Sequence, residues 1–286
     1  MSDSYENSAV FYVTAHEDDW ELFRGQQAYV DLHETAARAV FIYTTAGDAG
    51  LRVENGVLWW VAREAGAIKA EFVAAPPVLR PTMDVFTANN HPISRYQLLD
   101  PNGSVRIASY HMRLPDGNMD GSGFEATGWE SLKKLQDEGK AINAVDGSTT
   151  YTSWDDFCLT LAAILEYETA RTTNPQPWVN AADWSEVCSP RDHSDHKETA
   201  YALQAIYQAN NNPYNRCWFV TYSTDDRPAN LGDPLLQEKR DVWLAYANEV
   251  QALTKVPPDS HEWDMWGAKN YFRRVPAGQA DPGTCS

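Results

Sequence analysis

The chain has 286 residues, which fits one large domain or two small ones and lets roughly three quarters of the unfolded surface be buried. Lys and Arg number 23 against 40 Asp and Glu, a formal charge of -17. That balance excludes non-specific binding to nucleic acid or anionic membrane, both of which need a cationic face to displace counterions, while 43% hydrophobic content with 11 Trp, 14 Tyr and 9 Phe excludes disorder.

In chain order, MSDSYENSAV carries no basic region followed by an apolar run, so no secretory leader is read there. Ala9 to Thr14 (AVFYVT) reads as a fully buried strand that ends at a polar cluster. Residues 21–37 read as a helix, Arg38 to Thr45 (RAVFIYTT) as a second buried strand, Ala46 to Gly50 as a loop, and Val57 to Ala74 as a helix. Strand–helix–strand–helix with continuous apolar strands marks a parallel sheet covered on both faces. His91 to Leu99 and Ser104 to Leu114 flank the turn-rich Asp100-Pro101-Asn102-Gly103 and predict a β-hairpin. Loop-rich chain follows to about 153. Then come a helix over Trp154 to Arg171, a strand over Pro177 to Asp183, a helix over 195–210, a strand over Arg216 to Thr224 and a helix over 233–253. The tail from Val256 reads as irregular.

The expected fold is therefore one α/β domain over 1–286, Rossmann-like and doubly wound, with a mostly parallel sheet. A hairpin and loop insertion is expected at about 90–153. No run of 18 apolar residues occurs, so no membrane span is expected, and the protein reads as cytoplasmic. Cys158, Cys188, Cys217 and Cys285, widely spaced and without a CxxC pair, read as buried or incidental thiols.

The first strand runs into Ala15-His16-Glu17-Asp18-Asp19, and ligands of open α/β sheets bind beyond the carboxyl ends of strands. His16 and Asp19, three apart, are close enough on a turn to share one cation, and imidazole with carboxylate suits zinc. Asp18 then points off the ligand face, free to act on water. A second cluster, Asp192-His193-Ser194-Asp195-His196, follows a predicted strand and opens a helix. Either histidine there can complete a three-ligand site with a fourth position left for water. The bland alternative is a helix cap built from Ser194 or Asp195. Ser189 and Ser194 lack a nucleophile-elbow context, which speaks against serine hydrolysis. His33, His91, His111 and His261 have no partner at ligand spacing, although His111 precedes Arg113-Leu114-Pro115-Asp116 and can approach the pocket.

A strand ending in AHEDD, a TTAGDAG loop, REAGA in the next helix, RLPDGN, and DHSDH before a helix together resemble the PIG-L/LmbE-type deacetylases. These are zinc-dependent enzymes that remove N-acyl groups from N-acetylglucosamine-type sugars. The similar blocks run in the family's order from about residue 9 to the helix at 233–253. The family's AHPDDE stands here as AHEDDW, with Glu17 for proline and Trp20 for an acid, and neither is a ligand position. The resemblance implies zinc, or another divalent metal, held by His16, Asp19 and His196. It implies Asp18 as general base, His193 as the group that stabilises the oxyanion or protonates the leaving amine, and Asp195 as the residue that orients a histidine. Asp48, Arg63 and Asp116 match positions that line the sugar site, and Trp20 falls on the neighbouring substrate wall. Read alone, Asp48 and Asp116 are also turn formers and Arg63 a helix ion-pair partner.

The substrate so implied is a small-molecule sugar or glycoconjugate, with no nucleic-acid partner. Two other readings compete: an amidase of a larger thiol-sugar conjugate at the same metal, and a metal-free carbohydrate- or nucleotide-binding module. Against the latter, AHEDD stands where a GxGxxG loop would follow the first strand. Trp59, Trp60, Trp178 and Trp184 lie near the proposed chemistry in the chain, where aromatic faces can stack on sugars or on an aromatic aglycone. The acidic composition fits a neutral or cationic substrate better than a phosphorylated one.

Overall fold

Every residue of Ala9–Thr14 and Arg38–Thr45 is buried, as continuous apolar strands covered on both faces must be. The computed structural model describes residues 9–33 and 38–285. Residues 1–8, where no leader is read, and 34–37, the expected end of the first helix, lie outside the described residues.

The elements run β1 (Ala9–Thr14), α1 (Asp19–His33), β2 (Arg38–Thr45), a small hairpin of β3 (Val53–Glu54) and β4 (Val57–Leu58), and α2 (Trp59–Ala74). Next come β5 (Arg80–Ala88), β6 (His91–Leu99), β7 (Val105–Leu114), α3 (Leu132–Glu138), a second small pair β8 (Ile142–Asn143) and β9 (Thr150–Tyr151), and α4 (Trp154–Thr169). The chain ends with β10 (Trp178–Ala182), α5 (Ser194–Ala209), β11 (Asn215–Phe219), α6 (Leu235–Thr254), α7 (Ser260–Trp266) and β12 (Phe272–Val275). Local chemistry sets several of these starts. Ser131 and Ser153 cap α3 and α4 by accepting from Lys134 N–H and Asp156 N–H, and Asp19 places negative charge at the N-terminus of α1.

Eight strands form the main sheet in the order β12-β11-β10-β1-β2-β7-β6-β5. The five from β11 to β7 are parallel; β12 on one edge and β6 and β5 on the other are antiparallel. Alternation along the central strands divides the apolar side chains between two layers. Phe11, Val13, Val40 and Ile42 pack with Leu132, Leu161 and Leu203 of α3, α4 and α5. Val10, Tyr12, Phe41 and Tyr43 pack with Leu22, Ala67 and Val242 of α1, α2 and α6. Each fully buried Val, Leu, Ile or Phe among these contributes roughly 1.5–3 kcal/mol. The result is a Rossmann-like, doubly wound α/β fold.

The expected hairpin over 91–114 is present as β6 and β7, and it joins the main sheet: β7 pairs in parallel with β2, and β6 and β5 extend the sheet beyond it. Three expectations need correction. Strand β5 itself, and the helix and strand α7 and β12 in the tail, were not expected. Cys188 and Cys285 form a disulfide across 97 residues, leaving only Cys158 and Cys217 as buried thiols among the described residues. Trp20 does not face substrate. It is fully buried between α1 and the sheet, its indole N–H donating to the Tyr43 hydroxyl at 2.9 Å. No helix among the described residues is long and apolar enough to cross a membrane.

Candidate metal centre and active site

From β1 the chain crosses to β2 on one side, and later returns to place β10 on the other. The crevice beyond the carboxyl ends of β1 and β10 is thus the topological switch point of the sheet, the usual ligand site of such folds. Both His/Asp blocks converge there. His16 leaves β1, Asp19 opens α1, and the 192–196 block enters α5 with His193 as its N-cap.

His16 Nδ1 and His196 Nε2 face one another at 3.2 Å, and Asp19 Oδ1 lies 2.9 Å from His196 Nε2 and 3.7 Å from His16 Nδ1. The outer nitrogens are engaged elsewhere. His196 Nδ1 lies 2.8 Å from Asp192 Oδ1, and His16 Nε2 lies 3.3 Å from Asp195 Oδ2. With those N–H groups donated outward, both inner nitrogens present lone pairs to the same point, beside a carboxylate oxygen. Lone pairs so placed repel unless a cation or a shared proton sits between them. Asp19 Oδ2, meanwhile, accepts the His16 backbone N–H at 2.8 Å, which fixes the carboxylate across the turn.

Electrostatics tell the same story. Burial alone would raise Asp19, yet the charges of His196 and His16 hold it well below the usual carboxylate range. Burial likewise opposes charge on His196, but Asp19 and Asp192 push it up to about 10. His16 also stands well above its ordinary value, because the hydrogen bond and charge of Asp19 outweigh its burial. His16, Asp19 and His196 offer one imidazole nitrogen each and a carboxylate oxygen, all within 4.8 Å of one another and all buried. Two nitrogens and an oxygen suit zinc, and the outward hydrogen bonds to Asp192 and Asp195 supply the orientation that metal-binding histidines require. The donor set fits a divalent ion. His16 also belongs to a second acidic grouping with Asp116, His193 and Asp195.

His193 differs from its neighbours. Its Nδ1 accepts the Asp195 backbone N–H at 3.1 Å, so in the neutral ring Nε2 carries the proton. Burial and the adjacent His16 charge push it down to about 4. Nε2 lies 3.8 Å from Asp116 Oδ1, too far for a hydrogen bond and therefore open to another acceptor. Asp195 accepts from Gly117 N–H at 2.9 Å, and a Cβ at Gly117 would stand 2.4 Å from Asp195 Oδ1, so only glycine allows this approach.

Asp18 lies beside these groups with 14% of its side chain exposed, accepting a 2.5 Å hydrogen bond from Arg63 Nη2, while Arg63 Nε reaches Glu17 at 3.1 Å. Arg63 therefore pairs with the AHEDD block and not with its helix neighbour Glu64, which is held by Arg113. Gly47, at φ +51°, makes room: a Cβ there would meet Arg63 Nε at 2.7 Å. Asp48 does not reach the crevice. It is fully buried, its oxygens accepting Leu51 N–H at 2.7 Å and Asp116 N–H at 2.8 Å, and so braces the loop that presents Asp116. His111 also stays away, buried against Tyr43 and 3.6 Å from Glu64.

Of the aromatics, Trp59 lines a cavity of about 370 Å³ that opens beside Asp18 and Arg63. Trp60 lies under Arg113, Trp178 under Arg274, and Trp184 is bonded to Asp281 of the tail. Sequence reasoning missed the partnership of Asp192 with His196, although their i, i+4 spacing puts them on successive turns. It also missed Tyr222, whose ring stands edge-on to His196 at 5.2 Å and for which no motif signals.

No family model matches the sequence, and no curated protein matches it. Among solved structures, the N,N'-diacetylchitobiose deacetylase from Pyrococcus horikoshii, complexed with its inhibitor MPG, is 15% identical, with 94% of this chain and 84% of that chain covered and a TM-score of 0.51. A deacetylase of the teicoplanin biosynthesis pathway is 12% identical, with 85% of each chain covered and a TM-score of 0.50. GalB, the 4-carboxy-2-hydroxymuconate hydratase from Pseudomonas putida KT2440, is 12% identical over 91% of this chain and 82% of that chain, with a TM-score of 0.47. At these identities the likeness is one of fold.

Proposed function

We propose that this protein is a metal-dependent amide hydrolase that removes an N-acyl group, most simply acetyl, from an N-acetylglucosamine-like sugar or glycoconjugate. One observation carries the reading: the inner nitrogens of His16 and His196 converge at 3.2 Å beside Asp19, with their outer nitrogens against Asp195 and Asp192. The deacetylase folds among the solved structures and the resemblance of the AHEDD and DHSDH blocks support the same activity.

His16, Asp19 and His196 would hold zinc or a comparable divalent ion. When bound, such an ion supplies Lewis-acid polarisation of an acyl carbonyl and acidifies water. Asp18 is the general base, its carboxylate steered by Arg63 and free on the crevice side to take a proton from attacking water. His193, held with its Nε2–H outward by the Asp195 backbone N–H, donates to the oxygen that gains negative charge. The proton gathered by Asp18 is then placed to return to the leaving amine, which departs only once protonated. Asp195 and Asp192 act through the two histidines they orient.

The test is acetate release from N-acetylglucosamine derivatives by the metal-loaded protein, with and without chelator, beside metal analysis of the purified protein. Stoichiometric zinc or a similar ion, with hydrolysis that vanishes on chelation and returns with metal, is the expected outcome. Absence of tight metal binding and of acetate release would sink the reading. Hydrolysis confined to thiol-conjugate amides would move the substrate and leave the chemistry in place.

A further inference from the structure

The cavity beside Asp18 is built mostly by parts of the chain that take no part in holding the metal ligands. One wall is apolar and comes from α6 and the segment after it: Trp243, Tyr246, Val250, Pro257 and Pro258. Its volume of about 370 Å³ lies in the range of small-ligand sites and accommodates a sugar ring. Asp18 and Arg63 at its inner end join it to the crevice, so a molecule with its acyl group near His16 and His196 extends into it.

Charge decides what kind of molecule. The lining carries Asp18, Asp259 and Glu262 against Arg52 and Arg63. Both arginines are already engaged: Arg63 with Asp18 and Glu17, and Arg52 with Glu54 at 2.8 Å and over the face of Trp59 at 4.1 Å. Asp259 is occupied too, capping α7 through the His261 N–H. Glu262 differs, because no described residue donates a hydrogen bond to its carboxyl. Burial and the Asp18 charge push it up to about 8, with Arg63 pulling the other way. The cavity therefore places over its apolar wall a carboxyl with no donor among the described residues, whose charged form lacks the partner that an ammonium would supply. A phosphate or carboxylate on the ligand would find both lining arginines already paired with carboxylates and could not supply that partner.

We propose that this cavity receives the part of the substrate beyond the N-acyl group, and that Glu262 selects acceptors carrying a second, free ammonium group, such as a partly deacetylated amino-sugar oligomer. The carbon skeleton lies on Trp243, Val250 and the two prolines, and the ammonium bonds Glu262. This specificity rests on the hydrolase reading for its acyl end, but the binding it asserts is measurable without turnover.

Binding by calorimetry to the metal-loaded protein uses two disaccharides that hold no amide: chitobiosamine, with free ammonium groups, and cellobiose, with hydroxyls in their place. Chitobiosamine should bind at least ~10-fold more tightly, a typical effect for a partly buried charge pair, and Glu262→Gln should shrink that advantage to about threefold or less. Val250→Phe, which fills the cavity from the opposite wall, should weaken both ligands. Equal binding of the two sugars, an advantage untouched by Glu262→Gln, or no effect of Val250→Phe each overturns the proposal. Acetate release from N-acetylglucosaminyl-glucosamine and from N,N'-diacetylchitobiose, run in parallel, separates the two levels. Hydrolysis without any preference for the cationic sugar refutes the Glu262 assignment alone, whereas selective binding without hydrolysis upholds that assignment and refutes the activity.

Discussion

Two sets of carboxyl groups are buried to similar depth on neighbouring parts of this molecule and behave in opposite ways. At the crevice, Asp19 and the side chain of Asp192 are nearly inaccessible, and the imidazoles they face hold both below the usual carboxylate range despite burial. In the layer under α1 and α2, Glu71 and Glu21 are equally inaccessible, and burial pushes both upward. Glu71 accepts hydrogen bonds from Tyr43 at 3.0 Å and Ser109 at 2.5 Å, and Tyr43 in turn accepts from Trp20. Depth does not separate the two sets. What does is whether the carboxylate faces a cation or only neutral donors. The first arrangement is built around positive charge, as a metal site must be; in the second, Glu71 forms a neutral hydrogen-bonded brace inside the core and Glu21 faces no cation at all.

That contrast can be broken in four ways. The largest expected effect is from His196→Ala, which strips an inner donor and leaves Asp19 and Asp192 uncompensated. Metal content should be lost and acetate release should fall at least ~10³-fold, since several kcal/mol of transition-state stabilisation leave with the ion. Retained stoichiometric metal would show that the histidine is not a ligand. Asp18→Asn should keep the metal and lose ~10²–10⁴-fold in kcat, the range for a missing general base; near-normal turnover would remove Asp18 from the chemistry. In the other region, Glu71 binds its proton more tightly in the folded protein, moving from the ordinary 4.5 to about 7. Its contribution is therefore full below about pH 4.5 and is lost as pH rises through 7, about 3 kcal/mol in all. Urea unfolding at pH 5 and pH 8 should show this slope, and Glu71→Gln should flatten it. The smallest effect is expected from Asp192→Asn, which loosens the orientation of His196. Metal affinity should weaken ~10–100-fold in a chelator competition, with the fold intact.

Much of this architecture was legible where pattern and burial coincide. AVFYVT and RAVFIYTT are apolar because both faces of the central strands are covered, and the AHEDD and DHSDH blocks lie at their carboxyl side for the reason that any open α/β sheet puts ligands there. Edge strands carry no such signature. β5 (RPTMDVFTA) exposes Met83 and Val85, and β12 (FRRV) interleaves two arginines with its apolar residues, so neither shows an apolar run. Trp20 was misplaced because a motif fixes sequence position but not rotation: one residue beyond Asp19, the helix has turned its side chain from the crevice into the core. Glu262 was invisible for a different reason. It reaches the cavity beside Asp18 from a segment far along the chain, through packing of α7 that no local pattern announces.

The bond between Cys188 and Cys285 makes a macrocycle of the last third of the chain. Inside the ring are α5, β11, α6, α7 and β12, hence His193, His196 and Glu262; outside it are His16, Asp18 and Asp19. One half of the proposed ion-binding constellation thus lies inside the ring and the other outside it. In the chain-entropy account, closing a span of this size removes ~4–5 kcal/mol of freedom from the unfolded chain. Because β1 lies between β10 and β2 in one sheet, reduction should lower the stability of both halves together. Reducing compartments keep such pairs as thiols, so the ring closes only in oxidising surroundings.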